Sequence, residues 1–211
     1  MDLRPLADDL RGRFDEKMRA REVALPAARR AIRSSANAIR AIHRGDLDEA
    51  DRLMGDARGA LDEGEAAVRA QPDVRFAGFL HDAEKEYAEA RLTRAVVAGG
   101  ELPGPDEVRV TPSAYLNGMA ETIGEARRAV LDLLRRGDVE GAQRMLGAMD
   151  DLFDVLVTID YPDAITGNLR RSTDVARGIV EKTRGDLSVS IVQRDLRDAL
   201  ERHAEEFRDR G

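Results

Sequence analysis

The chain has 211 residues, of which 36% are charged and only 4% aromatic, with no Trp and no Cys. So few aromatics argue against sandwiches and barrels, whose strands favour aromatic and β-branched side chains. The lack of cysteine excludes a disulfide framework, a thiol nucleophile and thiolate-bound zinc or iron–sulfur. A net charge of −7 speaks against a generic nucleic-acid binder, although a basic patch on an acidic body still holds phosphate.

No apolar run approaches the ~18–20 residues of a membrane span, and the start MDLRPLADDLRGR does not read as a signal peptide. The expectation is a soluble, cytoplasmic protein. Helical periodicity runs almost throughout and predicts one all-α domain over 1–211. Seven helices are expected, at about 6–43, 46–70, 73–98, 112–136, 138–158, 163–184 and 187–209.

In the first helix Ala28, Ile32, Ser35, Ile39 and Ile42 follow 3–4 spacing and form a stripe to be buried. Arg29, Arg33, Arg40 and Arg44 form a second stripe on the same helix. Arginine offers a planar fork suited to phosphate oxygens, whereas a solvated face is the plain alternative. The helix runs out at Gly45-Asp46, glycine for a left-handed stop and aspartate for a new cap. The same Arg-Gly-Asp punctuation recurs at 136–138 and 184–186, so a stop and restart is expected at each. Because each joins two periodic helical segments, an adhesion-type reading of the tripeptide is set aside.

The third helix carries Glu86 and Glu89 at i, i+3, which places both carboxylates on one face. A loop over 99–112 follows, with three Pro and three Gly. The next helix carries Glu121 and Glu125 at i, i+4, again on one face. Two facing helices that each project a carboxylate pair can hold Mg²⁺ or Mn²⁺, hard cations that prefer oxygen. Forty-one acids in a helical chain also yield such pairs as surface or ion-paired charge, and spacing leaves both readings open. The break at Tyr161-Pro162-Asp163 suits proline in a first helical turn. Of the histidines, His43 stands at a helix end, where it can cap carbonyls, and His81 lies a turn before Glu86 in a partly exposed polar position. With His203 they are too scattered for a local zinc motif.

Four blocks resemble the translin superfamily, in the right order. The first is Arg29–x5–Ser35–x3–Ile39–x3–His43–Arg44. The second is Arg75-Phe76 leading into Glu86-Tyr87-Ala88-Glu89-Ala90. The third is Tyr115-Leu116-x-Gly118-x-Ala120-Glu121-x-x-Gly124-Glu125. The fourth is the tail DYPDAITGNLRRSTDVARGIVEKTRGDL over 160–187.

The resemblance implies an all-α protomer that assembles into a hollow oligomer, usually an octamer, enclosing single-stranded RNA or DNA. In the nuclease branch two acids of an E-Y-x-E block and two of a D-x-x-G-E block bind Mg²⁺ and cleave RNA. Carried over residue by residue, these are Glu86, Glu89, Glu121 and Glu125, with Glu at 121 where that branch usually has Asp. Arg29, Arg33, Arg40, His43, Arg44 and Arg75 form the candidate nucleic-acid-binding set. The leading expectation is thus a Mg²⁺- or Mn²⁺-dependent endoribonuclease for single-stranded RNA inside a homo-oligomeric shell. Its rivals are a non-catalytic oligomer that binds single-stranded RNA or DNA, and a purely structural helical interaction protein.

Overall fold

A computed structural model of the chain describes residues 1–208. Among these residues there are only helices: α1 (Arg4–Arg44), α2 (Leu47–Val68), α3 (Pro72–Arg75), α4 (Phe79–Ala98), α5 (Pro105–Val108), α6 (Pro112–Arg135), α7 (Val139–Val157), α8 (Asp163–Thr166) and α9 (Leu169–Arg208). None is long and apolar enough to cross a membrane.

Two of the three Arg-Gly-Asp segments act as expected. Gly45 and Gly137 adopt φ 79° and 78°, and the amides of Asp46 and Asp138 reach back 3.0 Å to the carbonyls of Ala41 and Leu133. Each aspartate then caps the next helix, accepting from Glu49 N at 3.3 Å and from Gly141 N at 2.8 Å.

The third corrects the sequence expectation, because α9 runs unbroken through Gly185-Asp186. Arg127 of α6 donates to Thr183 Oγ1 at 2.9 Å and to Asp186 Oδ2 at 2.7 Å. Asp186 is therefore taken up by an ion pair, and buried Leu187 keeps the helix on the core. The helix expected at 73–98 is divided at Phe76–Gly78, where Gly78 takes φ 100°. Pro162 stands just outside α8, its carbonyl accepting from Ile165 N at 2.8 Å.

Helix α6 is central, packing on α4, α7, α8 and α9, while α1 lies on α2 and α4. The buried face of α1 is built from Ala24, Ala27, Ala28, Ala31, Ser35 and Ala38, and such small residues let neighbouring helices approach. Asn117 of α6 ties down the far end of the bundle. Its side-chain amide donates to Thr166 O at 2.8 Å, and its oxygen accepts from Ser172 Oγ at 2.8 Å.

The first turns of α1 and the last turns of α9 carry large apolar side chains that stay exposed. Leu3 at the N-cap of α1, and Leu6, Leu10, Phe14 and Met18 along it, recur every three to four residues, all exposed. Val189, Val192, Leu196 and Leu200 do the same along α9.

A candidate metal centre between α4 and α6

The site begins with a glycine. A Cβ built on Gly118 would lie 2.7 Å from Lys85 O, 2.9 Å from Ala88 Cβ and 2.9 Å from Glu89 N. Real Cβ atoms do not approach backbone so closely, so α4 and α6 touch here only because residue 118 has no side chain. Thr122, one turn further on, turns its hydroxyl inward and donates to Gly118 O at 2.9 Å. The two helices thus present their polar edges to each other across a short gap.

Glu86 and Glu89 of α4 meet Glu121 of α6 across it, one carboxylate oxygen from each lying within 4.8 Å of the others. Glu89 is only 8% exposed, and among the described residues no donor reaches its carboxylate. Burial, followed by the charges of Glu121, Glu86 and Glu125, pushes its pKa up to about 8. Burial also raises Glu86, with Lys85 opposing the shift. A buried, unpartnered carboxylate facing two more is a poor arrangement without a cation. The all-oxygen donor set suits a hard divalent ion such as Mg²⁺ or Mn²⁺.

Glu125 does not join the three. His43 of α1 donates from Nε2 to its Oε2, with the histidine side chain only 5% exposed. That hydrogen bond outweighs burial and lowers the Glu125 pKa, with Arg128 assisting from 3.9 Å. Glu125 nevertheless lies close enough to raise Glu89 through its charge, so it borders the cluster. His43 therefore bridges α1 to α6, where a carbonyl cap at the end of its own helix had been expected. The His81 ring lies against the turn at Gly167.

Lys85 supplies what residue spacing did not reveal. Its Nζ donates to Glu121 Oε1 at 2.6 Å and lies 3.5 Å from Glu86 Oε1. Burial would lower its pKa, but the hydrogen bond to Glu121 and the two carboxylate charges more than offset this and raise it. The only signal in the sequence is a lysine, one of three in the chain, set among Glu84, Glu86 and Glu89.

The candidate nucleic-acid-binding residues fall into two groups. Arg29, Arg33, Arg40 and Arg44 are exposed along α1, and Arg40 lies one turn before His43, donating to Asn37 Oδ1 at 2.6 Å. Arg44 also borders a groove of about 490 Å³ shared with His43, Arg135 and Arg136. Arg75 lies apart from the stripe, with its guanidinium on buried Glu84, whose other oxygen accepts from Thr111 Oγ1 at 2.8 Å.

Fold and site together define an all-helical protein with a carboxylate cluster between two helices in van der Waals contact. No family model matches the chain. The solved protein AfC3PO, in a complex with duplex RNA, matches with a TM-score of 0.82 and 34% identity over 89% of this chain and 97% of its own. A second structure of AfC3PO matches with a TM-score of 0.81 and 33% identity, over 89% and 98% of the two chains. The fold is shared with apo-NeC3PO, with a TM-score of 0.79 and 20% identity over 90% and 100%. An uncharacterised protein of Methanocaldococcus jannaschii is 30% identical over 187 residues, 86% of this chain and 81% of that protein. The chain belongs to the translin superfamily.

Proposed function

We propose that the protein is a Mg²⁺-dependent endoribonuclease that binds single-stranded RNA inside a homo-oligomeric shell, an octamer as the family resemblance implies. The observation that carries this reading is Glu89, buried, without a donor and turned toward Glu86 and Glu121. RNA as the ligand is supported by AfC3PO, which has been solved with duplex RNA. Oligomerisation is supported by the apolar stripes of α1 and α9, which a single chain leaves in water.

Glu86, Glu89 and Glu121 would hold the metal. A Mg²⁺ ion held there would supply Lewis-acid chemistry for the scissile phosphate and for the activation of water. Glu125, held by His43 and bordering the same space, would accept a proton from the attacking water. The α1 arginines hold the strand by its phosphates, and with 4% aromatics the binding is backbone-led and salt-sensitive.

A second reading, a non-catalytic RNA- or single-stranded-DNA-binding oligomer, is favoured by two observations. Position 121 carries the longer acid, and Lys85 already sits on it. End-labelled single-stranded and duplex RNA incubated with Mg²⁺ or with EDTA separates the two. The nuclease reading expects Mg²⁺-dependent cleavage of the single strand that Glu125→Gln and Glu89→Gln abolish and Glu121→Asp preserves. Binding without cleavage at any Mg²⁺ concentration, or cleavage by Glu125→Gln at the wild-type rate, overturns it.

A further inference from the structure

Three carboxylates within 4.8 Å of one another would repel, yet two of them are already served by a cation that belongs to the chain. Lys85 Nζ lies 2.6 Å from Glu121 and 3.5 Å from Glu86, and its side chain is only 22% exposed. Its backbone cannot drift, because the carbonyl of Lys85 is one of the atoms against which Gly118 packs. The lysine therefore starts at the crossing point of α4 and α6. It reaches Glu121, one turn beyond Gly118, along the gap that the carboxylates share.

We infer that Lys85 is a tethered cation that holds the metal's place between Glu86 and Glu121 and is displaced when a divalent ion binds; this rests on the metal reading of the cluster. An ammonium carries one charge and donates hydrogen bonds, whereas Mg²⁺ or Mn²⁺ carries two and takes several oxygens at once. A divalent ion gains by replacing the lysine and by engaging Glu89, which the lysine does not serve. A monovalent ion brings no more charge than is already present, so the lysine also selects against Na⁺ and K⁺. Lys85 is thus a positioning residue. It keeps the carboxylates together before the metal arrives and sets the threshold at which the metal enters.

The test is Mn²⁺ binding to the full-length oligomer, followed by electron paramagnetic resonance and by calorimetry, with melting temperature in EDTA as a second readout. Lys85→Met is expected to bind Mn²⁺ about tenfold more tightly, the factor that losing one competing charge-assisted hydrogen bond implies. It is also expected to melt lower than wild type in EDTA. Lys85→Arg keeps the charge and should stay near the wild-type affinity, and Lys85→Gln should follow the Met variant if that one folds poorly. Mn²⁺ binding by the Met or Gln variant alone would overturn the displacement, because the lysine would then not yield to the ion in the wild-type protein. Equal affinity in wild type and both neutral variants overturns the inference and leaves the metal site standing. Binding by no variant overturns both.

Discussion

The carbonyl oxygen of Lys85 and the α-carbon of Gly118 lie so close that a Cβ on residue 118 would stand 2.7 Å from that oxygen. This single contact sets the separation of α4 and α6, and with it the distance between Glu89 and Glu121. Gly118→Ala gains about 1 kcal/mol of helix propensity but must push two backbones apart, which costs about 1–3 kcal/mol or more. The expected outcome is a lower melting temperature and weaker Mn²⁺ binding, measured by thermal denaturation and calorimetry. A variant that melts as wild type and binds metal equally would show that the crossing is not set by Gly118.

The cluster predicts an unusual dependence of stability on pH. Glu89 titrates at about 8 in the fold and near its ordinary 4.5 when unfolded, so between these values the native state holds the extra proton. Stability in EDTA should therefore fall as pH rises from about 4.5 to about 8 and level off above that. The loss should be of the order of a few kcal/mol. Glu125 acts in the opposite sense, its lowered pKa giving stability that is lost only as pH falls below its ordinary range. Mg²⁺ should reverse the decline on the alkaline side by binding the ionised form. Denaturant titrations across pH, with and without Mg²⁺, read this directly, and Glu89→Gln should flatten the EDTA curve.

Arginines along α1 should govern the salt dependence of RNA binding. Arg33 and Arg40 are exposed and outside the core, so Arg33→Ala and Arg40→Ala should leave folding intact. Each lost phosphate contact should lower the slope of log affinity against log salt by roughly 1. An unchanged affinity and slope in filter-binding titrations would reduce the stripe to a solvated face.

Arg75 should behave differently from that stripe. Its partner Glu84 is 1% exposed, and removing the guanidinium leaves a buried carboxylate with only the Thr111 hydroxyl. Arg75→Ala should therefore destabilise the fold by about 3–5 kcal/mol. The salt slope of RNA binding should stay as in wild type, provided it is measured below the new melting point. A normal melting temperature with a reduced slope would return Arg75 to the RNA-binding surface.

Much of this was legible in the residues because it depends on local geometry. Gly45-Asp46 and Gly137-Asp138 end one helix and begin another through backbone and cap bonds spanning only a few residues. Glu86 with Glu89, and Glu121 with Glu125, had to share faces because a helix repeats every 3.6 residues. The same local signal failed at Gly185-Asp186, where Arg127, distant in sequence, claims the aspartate that would have capped a new helix. Only packing decided which acids converge. Helical spacing cannot rotate one helix against another, whereas the contact at Gly118 does, bringing Glu121 to Glu86 and Glu89 and leaving Glu125 to His43. It also brought Lys85 onto Glu121 and Glu86, a pairing that helical spacing does not give, because the partner its side chain meets follows from where α6 lies.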